Sequence, residues 1–210
     1  MQYVKIDEKK IIPSKIVCVG RNYVEHIKEL DNDVPDDLLI FIKPNSAIST
    51  RLQSFHTEPL HYETELCFLY QAGRFSAVGV GLDLTKRDLQ SQLKQKGLPW
   101  EKAKAFDGSA VFSDFVSIDS VDPSLSFSLS IDSELIQQGD ITLMIHSPQA
   151  ILAHVSNFMS LEEGDIVMTG TPKGVGQVKP QSHYCAKVML KGETLLTHEW
   201  RAENTGSEGY

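Results

Sequence analysis

The stretch His61-Tyr-Glu-Thr-Glu-Leu-Cys-Phe-Leu-Tyr70, with Val78-Gly-Val-Gly-Leu-Asp83 after it, decides how this chain reads. Glu63–Tyr70 has strand propensity, Arg74–Gly79 makes a turn or short strand, and Val78–Leu82 is a glycine-spaced apolar strand. Side chains in a strand alternate faces. Glu63 and Glu65 therefore project to one side, with Cys67 and Leu69 continuing the row, while Leu66, Phe68 and Tyr70 face the other way. Two carboxylates on a face that turns apolar are costly unless something positive sits between them. A divalent cation is a natural partner, because hard cations prefer carboxylate oxygen. A solvated edge strand with two exposed acids also fits this spacing and is the commoner case. Asp83 ends its strand just before a predicted helix, where it can join such a site or simply offset the helix dipole.

Outward from this pair, Lys15–Gly20 reads as a buried strand, and residues 1–12 as a short strand or hairpin. Asn22–Leu30 has helical spacing, Asp31–Asp37 is an acidic loop, and Leu39–Lys43 is an apolar run closed by Pro44. Thr85 to Lys96 reads as a helix capped by Thr85 and stopped at Gly97-Leu-Pro99. Leu125–Ile131 alternates as a half-exposed strand does. Ser147–Met159 is a helix with Ser147 as N-cap, Pro148 in its first turn and a stripe of Ile151, Val155, Phe158 and Met159. Asp165–Thr169 is a strand, Cys185–Leu190 and Glu193–Glu199 form a hairpin about Lys191-Gly192, and Glu203–Tyr210 is a polar, frayed tail. Strands outnumber helices without βαβ alternation, the pattern of an α+β, β-rich fold.

The 210 residues divide into roughly 1.4 domains at about 150 residues each, which fits one domain and leaves room for two small ones. Lys plus Arg number 20 and Asp plus Glu 28, a net charge of −8 that argues against nucleic acid and anionic membrane as partners. An anionic substrate then needs local cations or a metal. Three separated cysteines, Cys18, Cys67 and Cys185, contain no CxxC and suit a reducing compartment. With no secretory h-region and no apolar run of 18 residues, a soluble, cytoplasmic protein is expected.

Further candidates are weaker alone. His26 and Glu29 stand at i and i+3 on a helix, where a carboxylate can orient an imidazole as a base; a surface ion pair is the commoner use of that spacing. Lys104 and Arg21 are candidate anion partners or solvated charges. Gln90 is a substrate contact or a surface glutamine. The amides of Thr169-Gly-Thr171-Pro-Lys-Gly174-Val-Gly176 can receive an anion, or form a tight loop with no ligand. His154 reads as a satisfied core or boundary histidine. No Gly-x-Ser-x-Gly elbow occurs.

Taken in order, eight segments resemble the fumarylacetoacetate hydrolase family, in particular its single-domain acylpyruvase and oxaloacetate decarboxylase members. They are Cys18-Val-Gly-Arg-Asn-Tyr23, His26-x-x-Glu29, Phe41-Ile-Lys-Pro44, His61-Tyr-Glu-Thr-Glu65-Leu, Leu82-Asp83-Leu-Thr-x-Arg87-Asp88-x-Gln90, Gly97-Leu-Pro-Trp100, Ala103-Lys104-x-Phe106 and Glu163-Gly-Asp165-Ile-x-x-Thr169-Gly-Thr171-Pro-x-Gly174-Val-Gly176. They run over about residues 14–190. The resemblance implies a mixed β-roll or sandwich of the family's C-terminal-domain type, usually a homodimer. It implies Glu63, Glu65 and Asp83 as ligands of Mg²⁺ or Mn²⁺, and His26 with Glu29 as a water-activating dyad. Lys104 and Gln90 would contact the substrate or its oxyanion, and Arg21 and Thr171 the carboxylate of a small anionic 2-oxo acid. The implied reaction is hydrolytic C–C cleavage of an acylpyruvate, with oxaloacetate decarboxylation or keto–enol tautomerisation at the same site as the alternative. The segment between Glu65 and Asp83 is shorter than in typical members, so a trimmed hairpin is expected there.

Overall fold

The computed structural model describes residues 1–204 apart from 32, 34 and 36. Its central sheet runs Leu39–Pro44, Lys15–Gly20, Ile166–Met168, Thr64–Gln71, Arg74–Asp83, Ala110–Phe112 and Ile48–Ser49, with Val116–Ser117 also paired to Arg74–Asp83. Two of these pairings are parallel, Ile166–Met168 on Lys15–Gly20 and Ala110–Phe112 on Ile48–Ser49; the others are antiparallel. A second, antiparallel sheet runs Glu134–Asp140, Ser126–Ile131, His183–Leu190 and Glu193–Arg201. Gly176–Gln177, Leu60–Tyr62 and Thr85–Lys86 form a small third sheet, and Val4–Ile6 pairs with Lys9–Ile11. The helices are α1 (Val24–Glu29), α2 (Arg87–Gln95), α3 (Glu101–Lys104) and α4 (Pro148–Ser156). The fold is a strand-dominated α+β arrangement whose central sheet curls as a half-barrel.

Period-two alternation builds two cores on opposite faces of the central sheet. Leu66, Phe68, Val78, Val80 and Leu82 pack into one, together with Phe127 and Leu129 from the second sheet. Cys67 and Leu69 join Ile16, Cys18, Ile166 and Met168 in the other. Each fully buried side chain of this size contributes about 1.5–3 kcal/mol. The row predicted to carry Cys67 and Leu69 away from Leu66 and Phe68 is therefore present.

Several boundaries move for physical reasons. Arg74–Asp83 is one ten-residue strand, joined to Thr64–Gln71 by Ala72 and Gly73, both at positive φ. This two-residue turn matches strand twist and accounts for the short Glu65–Asp83 connection. Glu63 lies just ahead of its strand, at the step between Leu60–Tyr62 and Thr64–Gln71. Thr85 does not cap α2. Its hydroxyl faces Asp83 O and Lys104 Nζ, and the Glu58 carboxylate accepts from Asp88 N and Leu89 N at 3.1 and 3.3 Å instead. Ser147 does cap α4, accepting from Ala150 N at 3.2 Å. That helix ends at Ser156, and Phe158 is exposed rather than part of the buried stripe. His154 is half-exposed against the Phe158 ring. Glu203, predicted to fray, is held by Arg51 and bridged to Gln53; residues 205–210 lie outside the described set. Among the described residues no helix is long and apolar enough to cross a membrane.

Candidate active site

Glu63, Glu65 and Asp83 converge where Thr64–Gln71 and Arg74–Asp83 pair at their buried ends. One ligand atom of each lies within 4.8 Å of the others, and all three side chains are buried. Backbone pairing brings them together: Asp83 N donates to Glu63 O at 2.8 Å. The same cavity is lined by His26, Arg21, Arg87, Gln90, Lys104 and Thr171. Eight of the nine residues singled out from sequence thus line one cavity, and the ninth, Glu29, meets it through His26.

Three cations crowd the carboxylates. Lys104 Nζ lies 2.9 Å from Glu63 Oε2, 2.8 Å from Asp83 Oδ2 and 2.6 Å from Thr85 Oγ1. Arg87 pairs with Glu63 Oε1 and donates to Gln90 Oε1 at 2.9 Å. Lys43, fully buried, sits 2.9 Å from Asp83 Oδ1 but directs its protons to the carbonyls of Lys104 and Ser109. Burial opposes charge on Glu63; Lys104 and then Arg87 overcome it and hold that carboxyl well below its usual range. Burial likewise opposes charge on Lys104, and Asp83 and Glu63 outweigh it, so the ammonium is held more firmly than usual.

Glu65 is different. Among the described residues its carboxylate accepts one hydrogen bond, from Gly170 N, 2.7 Å from Oε2, and the ion pairs of the site go to Glu63 and Asp83. Burial, then the charges of Asp83 and Glu63, push its carboxyl well above the usual range. Asp83 Oδ1 is buried and accepts no hydrogen bond. Lys43 Nζ faces that oxygen at 2.9 Å without a well-directed hydrogen bond; together with the under-compensated Glu65 carboxylate, this all-oxygen donor set fits a hard divalent cation.

The dyad is assembled. His26, buried on α1, has Nδ1 3.2 Å from Glu29 Oε2, and Glu29 Oε1 accepts from Gly174 N at 2.9 Å. With Nδ1 taken by the carboxylate, Nε2 is the ring nitrogen left for a further partner. The loop over residues 169–176 is seated by Asn22, whose amide donates to Thr169 O at 2.8 Å and His146 O at 3.0 Å. Gly170 closes the approach: at φ +97° it lies against Asn22, where a Cβ would come within 2.8 Å of the Asn22 Cβ. Arg21 lines the cavity with φ +56° and donates to Asp33 O at 3.3 Å.

Sequence reasoning assigned no role to Lys43, Arg87, Asn22 or Gln137. The first three lie inside the quoted motifs, a signal that marks position without purpose. Gln137 lies in none.

The fumarylacetoacetate (FAA) hydrolase C-terminal family matches residues 15–199. The chain is 41% identical over 202 residues to the oxaloacetate tautomerase YcgM of Escherichia coli, covering 88% of this chain and 91% of that protein. It is 41% identical over 181 residues to the human mitochondrial oxaloacetate tautomerase FAHD1, covering 78% and 82% respectively. Among solved structures, fumarylpyruvate hydrolase from Pseudomonas aeruginosa in complex with Mn²⁺ and pyruvate superposes with a TM-score of 0.85 at 30% identity, over 97% of this chain and 96% of that one. A strand-dominated fold, a buried carboxylate triad and these likenesses agree: the chain belongs to the fumarylacetoacetate hydrolase family.

Proposed function

We propose that the protein is a divalent-metal-dependent tautomerase of oxaloacetate or a closely related 2-oxo acid, using Mg²⁺ or Mn²⁺ held by Glu63, Glu65 and Asp83. The observation that carries the choice is the 41% identity to an oxaloacetate tautomerase across 88% of the chain. It moves acylpyruvate hydrolysis, the first reading of the sequence, behind the alternative of keto–enol chemistry at the same site. Hydrolysis keeps support from the likeness to a fumarylpyruvate hydrolase.

When bound, a divalent metal supplies Lewis-acid charge to the substrate's carboxylate and 2-oxo oxygens. The chain's residues supply the rest. Arg21, Thr171 and Gln90 receive the substrate's carboxylate. His26 Nε2 takes a proton from C3 of the keto form, while Glu29 holds Nδ1–H and stabilises the imidazolium. Lys104, kept protonated by its two carboxylates, faces the growing negative charge on the 2-oxo oxygen. His26 returns the proton to that oxygen, giving the enol with no net proton gained or lost. Residues 1–210 act as one catalytic domain, two copies pair in solution, and the compartment is the cytoplasm. The partners are small anionic 2-oxo acids rather than nucleic acid or membrane.

The test is a parallel assay of oxaloacetate, acetylpyruvate and fumarylpyruvate with Mg²⁺ or Mn²⁺, following enol absorbance and pyruvate release. Accelerated keto–enol exchange of oxaloacetate supports the proposal; hydrolysis of an acylpyruvate with no effect on that exchange overturns it. His26→Ala is expected to abolish proton transfer and hydrolysis but to leave part of any oxaloacetate decarboxylation, which depends mainly on the metal.

A further inference from the structure

We propose that Gln137 is the positioning residue that sets the Thr171 hydroxyl for substrate, and that a β-bulge at Ile136 delivers it there. This inference rests on the reading of Thr171 as a contact of the substrate's carboxylate. Gln137 belongs to Glu134–Asp140 in the second sheet and is only 1% exposed. Pairing with Ser126–Ile131 slips midway: Leu129 faces Gln137 but Ser130 faces Leu135, so Ile136 is the extra residue. Such a bulge re-aims the side chains beside it.

The re-aimed amide is fully used. Gln137 Nε2 donates to Thr171 Oγ1 at 2.9 Å and to Pro172 O at 2.8 Å, and Oε1 accepts from Thr64 N at 3.1 Å. Thr64 lies between Glu63 and Glu65, so one side chain ties the anion-facing loop to the metal-facing strand. The direction of the Thr171 bond matters. Because Thr171 Oγ1 accepts from Gln137, its own proton is not spent on that partner. The hydroxyl donates instead to Pro172 O, in a long bond of 3.4 Å to a carbonyl that also accepts from Gln137. The hydroxyl proton is thereby only loosely held and can turn to an anionic oxygen in the cavity, and an incoming donor bond makes it a stronger donor.

The same bulge seats the dyad. The carbonyl of Ile136 lies 2.3 Å from where a Cβ on Gly174 would stand, and Gly174 adopts φ +99°. Only glycine lets the loop lie against the bulge, and in that position Gly174 N reaches Glu29. Gln137 touches none of the three carboxylates, which separates its role from metal binding.

Pyruvate binding in the presence of saturating Mn²⁺, read by calorimetry, tests this without requiring turnover. Gln137→Leu is expected to weaken pyruvate by about tenfold, the worth of one hydrogen bond to a charged group, with Mn²⁺ affinity within about threefold of the unaltered protein. Gln137→Glu keeps the acceptor for Thr64 N but turns the Thr171 proton inward, and is expected to weaken pyruvate at least as much. In a Thr171→Val background, Gln137→Leu should add less than about twofold, because the two residues act as one unit. With oxaloacetate, KM should rise while kcat stays within about threefold. Unchanged pyruvate affinity in Gln137→Leu, or full additivity with Thr171→Val, overturns the inference. If Gln137→Leu does not fold, unchanged pyruvate affinity in Gln137→Glu overturns it equally. Failure of the tautomerase reading would appear separately, as pyruvate binding sensitive to Gln137 without exchange of oxaloacetate.

Discussion

Replacing Glu29 by Gln exchanges one oxygen for an NH2 group and leaves the shape of the dyad intact. In the protein both carboxylate oxygens accept, Oε2 facing His26 Nδ1 at 3.2 Å and Oε1 receiving Gly174 N at 2.9 Å. An amide can accept at only one of these places. With its oxygen toward His26, the NH2 group confronts the Gly174 N–H and displaces that bond to water, at a cost of about 0.5–1.5 kcal/mol at this exposed position. With its oxygen toward Gly174, the NH2 donates to Nδ1, both bonds survive, and the imidazole proton is driven onto Nε2. The second arrangement is favoured by that difference, about 2- to 13-fold. An imidazole protonated at Nε2 cannot take a proton there. The kcat for keto–enol exchange should therefore fall by about 2- to 13-fold, a part of the roughly 10²–10⁴ that a positioned base supplies in all. Loss of the negative charge beside the imidazolium acts in the same direction. KM should stay within about threefold, since Glu29 does not hold the substrate carboxylate. The assay is stopped-flow ultraviolet absorbance of the oxaloacetate enol with Mn²⁺, run beside thermal melts of both proteins. A kcat within about twofold of the unaltered protein, at equal thermal stability, would refute the tautomer argument.

Two further outcomes are expected. Glu65→Gln should weaken Mn²⁺ on the order of 100-fold by calorimetry, because Glu65 is the proposed ligand that forms no ion pair with a cation of the site; unchanged affinity would place the metal elsewhere. Asp165→Asn should cost roughly 2–3 kcal/mol at pH 7 in denaturant melts, since the buried carboxylate accepts from Ser14, Lys15 and Glu162. Burial opposes the Asp165 charge, but Lys15 and these donors lower its pKa below the unfolded value of about 3.9. The stabilisation is thus complete above that value and lost as pH falls through the folded one. The gap between the two proteins should close in acid; a gap independent of pH would refute this assignment.

The parts of the protein legible in its sequence are those governed by neighbours in the chain. Alternation placed Glu65 and Cys67 on one face and Leu66 and Phe68 on the other, because the pleat has a period of two whatever lies across from it. The spacing of His26 and Glu29 put both on one side of a helical turn, Ser147 announced the start of α4, and Lys191-Gly192 announced a hairpin. These rules need no knowledge of the fold. Thr85 marks their limit: it is a good cap by type, but Lys104 claims its hydroxyl and Glu58 reaches in to cap α2. A cap can be supplied from 30 residues away as readily as from the next one.

Only the tertiary structure decided what the cations and amides of the site do. Lys43 and an exposed lysine are the same letter; Lys43 becomes part of the site because the carbonyls of Lys104 and Ser109 arrive beside it, 61 and 66 residues along the chain. Gln137 reaches Thr64 across 73 residues and Thr171 across 34, and does so through a one-residue slip in strand pairing. Burial and hydrogen-bond direction are properties of where other segments come to rest, so no local period encodes them. The sequence by itself singled out the side chains proposed to carry the chemistry; the packing of the two sheets and the loop between them determined which of those side chains face one another, and with which proton.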